Sequence, residues 1–326
     1  MAFNLKGRSF LTLLDYSPDE IRYLLDLSTT LKTLKRAGVR GNSLERKCIA
    51  LLFEKPSTRT RCAFVAACID EGAHPEYLGK ADVQFGKKES VKDTARVLGR
   101  MFDGIQFRGF SHSTVEDLAR YSGVPVWNGL TDRFHPTQAL ADVLTMKENF
   151  GDTRGLAWAY VGDGRNNVCN SLMVISAKLG MDFRVVSPEA LYPDPDLFDR
   201  CRSVANDTGA TLTITSDIGA GVAGARALYS DVWASMGEED KIAERVALLR
   251  AYQIDAAMFE KAGRDDAIFL HCLPSFHNLE TEMSQKNPAI CEVTEDVFEG
   301  PRSRVFDQAE NRMHTIKAVM VATLGA

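Results

Sequence analysis

The run Glu54-Lys-Pro-Ser-Thr-Arg-Thr-Arg61 gathers three hydroxyls (Ser57, Thr58, Thr60) and two guanidiniums (Arg59, Arg61) between the apolar run Cys48 to Phe53 and an apolar helical pattern. That order reads as strand, turn, helix. The first N–H groups of such a helix have no intrahelical acceptor and carry partial positive charge. A phosphate dianion suits this turn, because guanidinium forks match phosphate oxygens in pairs and the N–H groups already point toward it. A plain helix cap flanked by surface arginines would use the same residues.

Further polar residues follow apolar runs elsewhere. Arg108 follows Ile105-Gln-Phe107, and His135-Pro-Thr-Gln138 stands where a helical pattern begins. Asp163 to Asn167 follows a run ending at Val161, Asp231 to Met236 follows Leu228 to Ser230, and His271-Cys-Leu-Pro274 follows Ile268-Phe-Leu270. Ligands of open α/β sheets bind outside the carboxyl ends of the strands, so polar residues at so many strand ends are hard to explain as packing. Singly each has a plainer reading: His135 as a polar residue at a helix start, Cys272 as a buried filler, Asp231 as a helix cap.

The elements that must position these residues alternate. Strand patterns fall at Cys48 to Phe53, Gly104 to Phe107, Val124 to Trp127, Leu156 to Val161, Phe183 to Val186, Ala227 to Val232 and Ile268 to Leu270, with helical patterns between them. This predicts an α/β fold of two doubly wound parallel-sheet domains bridged by helices. An N-terminal helix is expected to be capped around Ser17. Pro136 to Phe150 reads as the bridge, giving domains 1–150 and 151–306, with a C-terminal helix 307–326 packing back on the first and carrying Arg312.

The chain has 326 residues, 45% hydrophobic and 25% charged, which suits two globular domains. A net charge of −5 provides no global field for nucleic acid or an anionic membrane, so any anion affinity must be local. No apolar run approaches a membrane span and the start lacks the apolar core of a signal peptide, so a cytoplasmic protein is expected. The seven cysteines are scattered without a C-x-x-C, which argues against a disulfide framework and a zinc knuckle. No metal-ligand cluster is visible in the spacing, and no cofactor is expected.

Taken together, Ser57-Thr-Arg-Thr-Arg61, His135-Pro-Thr-Gln138, Asp231-Val-Trp-Ala-Ser-Met-Gly237 and His271-Cys-Leu-Pro274 resemble the bacterial ornithine carbamoyltransferases. Glu89 to Leu98, Val126 to Leu130 and Phe306 to His314 extend the likeness, which runs from about Leu5 to the C-terminus. The first two motifs belong to the wider carbamoyltransferase superfamily; the last two narrow it to ornithine as acceptor.

The resemblance implies transfer of the carbamoyl group of carbamoyl phosphate to the side-chain amine of L-ornithine, giving L-citrulline and phosphate in arginine metabolism, arginine biosynthesis included. Ser57, Thr58, Arg59 and Thr60 would hold the phosphate with Arg108, while His135, Arg108 and Thr60 polarise the carbonyl oxygen. Gln138, with the backbone carbonyls near Cys272 and Leu273, would take the carbamoyl NH2, and Arg312 would add a contact. Gln84 would reach into the site of a neighbouring subunit of a homotrimer. Asn167 would hold the α-carboxylate of ornithine and Asp231 its ammonium, with Ser235 and Met236 closing over it. Cys272 would orient the amine without forming a covalent bond to it. Cys169 stands where many relatives have glycine.

Three alternatives remain open. Aspartate carbamoyltransferase would share the first two motifs but should show basic groups for a dicarboxylate. A nucleotide-dependent oxidoreductase is suggested by Val161-Gly-Asp-Gly164, although Asn167 takes the place of the third glycine. A silent paralogue should have lost Arg108, His135, Cys272 or Asp231, and all are present.

Overall fold

The apolar run Cys48–Phe53 forms β1 at the middle of a parallel sheet in the computed structural model, which describes residues 3–83, 88–234 and 239–325. Around it lie β2 (His74–Gly79), β3 (Gly104–Arg108) and β4 (Val126–Leu130), in the order β2-β1-β3-β4. A second sheet contains β5 (Ala157–Val161), β6 (Asp182–Val186), β7 (Thr211–Thr215), β8 (Ala227–Ser230) and β9 (Ile268–His271), ordered β7-β6-β5-β8-β9. Every pairing between these strands is parallel. In both sheets the order reverses, about β1/β3 in one and β5/β8 in the other, which makes each sheet doubly wound with a switch point.

Contacts divide the chain into two units. One comprises residues up to Leu144 together with those from Glu310 on, the other Thr145–Ala309. The helices Pro136–Phe150 and Val305–Leu324 each contain a boundary between units. The N-terminal helix Pro18–Arg36 begins at a capping box in which Ser17 and Glu20 satisfy each other's backbone N–H groups.

Two strands escape the sequence pattern. β2 and β7 each lie at one edge of their sheet, and their exposed residues (His74, Glu76; Thr211, Thr213) replace the continuous apolar run of a central strand. β4 also starts and ends later than its apolar pattern, reaching Leu130, because Asn128 and Gly129 continue the ladder beside β3. There Phe107 pairs with Asn128 and Arg108 with Leu130, so Gly129 is an extra, bulged residue on β4. Gly129 allows it: a Cβ there would stand 2.5 Å from Gln106 Nε2.

The Val161-Gly-Asp-Gly164 turn has a packing explanation. A Cβ on Gly164 would meet Leu191 O at 2.8 Å and Val185 Cγ1 at 2.9 Å, so the glycine lets this turn approach the segment after β6.

Candidate active site

In the first unit the phosphate-type turn forms as its residues suggest. Ser57, extended at φ −160°, caps the helix Thr58–Asp70 by accepting from the Thr60 N–H at 3.3 Å, which places Thr58, Arg59 and Thr60 in the first turn. The Thr60 side chain points inward and is fully buried. Its Oγ1 accepts from Arg108 Nη1 at 3.3 Å, from Arg312 Nη2 at 3.0 Å and from Ser57 Oγ at 3.2 Å. One hydroxyl thus gathers the end of β3, the helix start after β1 and the C-terminal helix.

His135 and Gln138 lie at the start of the helix Pro136–Phe150, and both are buried. The imidazole of His135 is held well below its ordinary pKa, first by burial and then by the positive charges of Arg312, Arg108 and Arg59. It is therefore a neutral group within reach of three guanidinium fields. Gln138 donates from Nε2 to Asp142 Oδ1 at 2.8 Å, and its Oε1 is buried without a hydrogen-bond partner among the described residues.

Arg61 departs from the turn reading. Its guanidinium stacks 3.9 Å from the centroid of the Tyr77 ring, so Arg59 and not Arg61 contributes to this cation group. Sequence reasoning also passed over Gln106, whose buried amide has neither polar atom partnered among the described residues. Its signal was available: a glutamine two residues before Arg108 in an apolar strand shares the face of that arginine.

In the second unit, Asp231 directly follows β8, and its Oδ1 accepts from the Val232 N–H at 2.8 Å and from Cys272 Sγ at 3.0 Å. Asp231 thus sits in a side-chain pair and caps no helix among the described residues, and Cys272 is half-buried beside it. Asn166 is the cap of the helix Asn167–Leu179, accepting from Val168 N–H at 2.7 Å, and Asn167 is the first helical residue. Tyr160, fully buried on β5, has its hydroxyl pKa pushed well up by burial and by the nearby charges of Asp231, Cys169, Asp163 and Cys272. Cys169 is buried and its thiol is likewise raised, chiefly by burial.

The turn after β9 is held by groups that the motif alone did not indicate. Leu273 has φ 57°, a left-handed conformation unusual for a branched residue, and its N–H donates to His271 Nδ1 at 2.9 Å. On the other side of the ring, His271 Nε2 stands 3.1 Å from Glu292 Oε1. Glu292 Oε1 also accepts from the Phe276 N–H at 2.8 Å, and the His271 N–H is taken by Gln308 Oε1 at 2.9 Å.

Asp231, His271 and Cys272 come from two strand ends, and their ligand-type atoms all lie within 4.8 Å of one another. The sequence spacing gave no sign of this cluster. Gln84, Ser235 and Met236 lie outside the described residues. Among the described residues no helix is long and apolar enough to cross a membrane.

Two doubly wound parallel units, one with a buried cation group at its switch point and the other with a carboxylate and thiol at its strand ends, define an α/β protein built to hold an anion and a polar small molecule. Family models match both halves: the aspartate/ornithine carbamoyltransferase carbamoyl-P binding domain over residues 8–148, and the Asp/Orn binding domain over residues 154–323. The chain belongs to the aspartate/ornithine carbamoyltransferase family, on its ornithine carbamoyltransferase branch.

The catabolic ornithine carbamoyltransferase of Bacillus licheniformis is 59% identical, covering 99% of this chain and 98% of the relative. That of Streptococcus ratti, also named catabolic, is 58% identical over 98% and 96%. Among solved structures, the ornithine carbamoyltransferase of Pyrococcus furiosus superposes with a TM-score of 0.92 at 41% identity, covering 99% of this chain and 98% of that one.

Proposed function

We propose that this enzyme transfers the carbamoyl group between carbamoyl phosphate and the δ-amine of L-ornithine, with L-citrulline and phosphate on the other side of the equilibrium. The observation that carries the reading is the Thr60 hydroxyl shared by Arg108 and Arg312 at a helix N-terminus, next to a neutral His135. Ser57, Thr58, Arg59 and Thr60 hold the phosphate, with Arg108 and Arg312 spreading over its oxygens. Arg108 and the neutral imidazole of His135 hydrogen-bond the carbonyl oxygen, where negative charge develops as the amine attacks. Gln138 accepts from the carbamoyl NH2, with backbone carbonyls of Cys272 and Leu273 as further acceptors.

On the acceptor side Asn167 donates to the α-carboxylate of ornithine and Asp231 accepts from its ammonium. Ser235 and Met236 complete that pocket. The δ-ammonium, with an ordinary pKa of about 10, loses a proton before attack. Cys272 orients the resulting amine. The nitrogen bonds to the carbonyl carbon, the carbon–oxygen bond to phosphate breaks, and the second amine proton leaves with phosphate as the hydrogen phosphate dianion. The donor's mixed-anhydride bond supplies the leaving group, and this sequence of steps calls on no metal or nucleotide.

The active form in this reading is a homotrimer in the cytoplasm, part of arginine metabolism, with Gln84 as the residue that the family resemblance assigns to a neighbouring subunit's site. The named catabolic relatives favour the direction that consumes citrulline and phosphate over arginine biosynthesis. A citrulline assay with ornithine, putrescine, acetylornithine and aspartate in parallel tests the reading. Product from ornithine alone is expected; product from aspartate, or from none, refutes it. The ratio of the forward rate to the phosphate-dependent cleavage of citrulline tests the direction.

A further inference from the structure

Gln138 and Asp142 are one helical turn apart on Pro136–Phe150, so their side chains lie on the same face. Asp142 is fully buried, with the apolar residues Ala139, Leu140, Ala141, Val143 and Leu144 around it in sequence, all equally buried. A carboxylate in such a setting is unfavourable unless it is hydrogen-bonded. It accepts from Gln138 Nε2 at 2.8 Å.

An amide side chain has two faces of opposite sign: its nitrogen donates and its oxygen accepts. A carboxylate only accepts, so next to Asp142 the amide has one favourable orientation. That orientation spends the NH2 on Asp142 and leaves Oε1, buried and without a partner among the described residues, as the group Gln138 offers to a ligand. We propose that Asp142 is a positioning residue that fixes the amide of Gln138 with its oxygen outward, and thereby selects donors bearing NH2 on the acyl carbon over donors bearing methyl or a carboxylate oxygen. The inference rests on the reading that Gln138 accepts from the carbamoyl NH2. It adds the reason that Gln138 accepts rather than donates.

The test uses the full chain and isothermal titration with carbamoyl phosphate, acetyl phosphate and inorganic phosphate. The isosteric D142L removes the acceptor, so the amide turns its NH2 outward and must turn back to receive the ligand. The expected result is a Kd for carbamoyl phosphate raised about tenfold, with acetyl phosphate and phosphate changed by less than about twofold. D142N keeps an acceptor oxygen in one of its two orientations and should recover most of that loss, leaving about a two- to threefold rise.

Equal weakening of all three ligands in D142L would mean a merely structural role and overturns the proposal. So would an unchanged preference for carbamoyl over acetyl phosphate. Q138L serves as the control for the underlying reading: if wild type shows no preference, or Q138L keeps it, Gln138 does not read the NH2 and both ideas fall. If Q138L loses the preference and D142L keeps it, only the role of Asp142 falls. Should D142L not fold, D142N decides alone with phosphonoacetamide and phosphonoacetate. The freed amide can then present NH2 to a carboxylate, and the affinity ratio of amide to carboxylate should drop about tenfold; an unchanged ratio overturns the proposal.

Discussion

Thr60 Oγ1 and Arg312 Nη2 are 3.0 Å apart although 252 residues separate them in the chain. The same oxygen receives Arg108, so a single hydroxyl holds two buried guanidiniums at the start of the helix Thr58–Asp70. Removing the hydroxyl while keeping the shape is therefore informative. Thr60→Val should lower stability by about 1–3 kcal/mol, since buried donors lose an acceptor, and should weaken phosphate binding about tenfold or more. Thr60→Ser restores the oxygen and should restore both. Calorimetric melts with and without phosphate measure the two effects together, and a valine variant indistinguishable from the parent would show that Thr60 organises nothing.

Arg108 and His135 are assigned to the carbonyl oxygen, where a stabilising donor matters most in the transition state. Arg108→Ala should cost about 10²–10³ in kcat, the usual size for one lost oxyanion donor. Arg108→Lys keeps the charge without the fork and should recover only part of it. Because burial and three arginines hold His135 neutral well below pH 6.5, kcat should show no inflection near that pH from this imidazole. A stopped-time citrulline assay from pH 6 to 8 checks both expectations. A His135→Asn variant that removed a break near 6.5 from the profile would contradict the neutral assignment.

The central strands and the phosphate-type turn were legible because they carry strong local signals: Cys48–Phe53 is a continuous apolar run, and Ser57 caps the helix that follows it. β2 and β7 were not, because exposed residues at every other position (His74, Glu76; Thr211, Thr213) interrupt their apolar runs and leave a pattern that resembles a loop. Candidate site residues stood out by type at strand ends, as Arg108 and Asp231 do. Their supports did not. Glu292 reaches His271, and Asp142 reaches Gln138, through contacts that depend on the folded turn after β9 and on one helical face. Arg61 was misread for the complementary reason: a guanidinium in a cationic motif can as well stack on a ring, and Tyr77 comes from the edge strand the pattern missed.

Asp231 and Cys272 share a contact at 3.0 Å, and their assigned duties differ. Asp231→Ala should raise the KM for ornithine about 10–100-fold, the cost of one charge-assisted hydrogen bond to the ammonium, with a smaller effect on the KM for carbamoyl phosphate. Cys272→Ser keeps a hydroxyl donor toward Asp231 and should stay within about tenfold of the parent kcat, whereas a covalent nucleophile would lose far more. Initial-rate kinetics with each substrate varied in turn separate these outcomes. A carbamoyl adduct on Cys272 in a quenched reaction, seen by mass spectrometry, would replace orientation with covalent catalysis.

His314, buried on the helix Val305–Leu324, gives a prediction about acid stability. Its pKa falls from the ordinary 6.5 to about 4, mainly through burial; Glu310 Oε1 at 3.3 Å opposes that shift, and Lys317 and Lys32 add to it. In the unfolded chain the ring takes up its proton near pH 6.5, while in the folded chain it does so only near 4. Across that window the unfolded state binds more protons, so stability is lost as pH falls, by up to ~1.4 kcal/mol per pH unit from this group. His112 and His135, also lowered by burial, act with the same sign. His314→Gln removes one of the three contributions. Urea unfolding at pH 7, 6 and 5 should show the variant losing stability less steeply than the parent, by up to ~1.4 kcal/mol per unit below pH 6.5. Parallel lines for the two proteins would mean that His314 is already protonated in the folded state, and that Glu310 outweighs burial there.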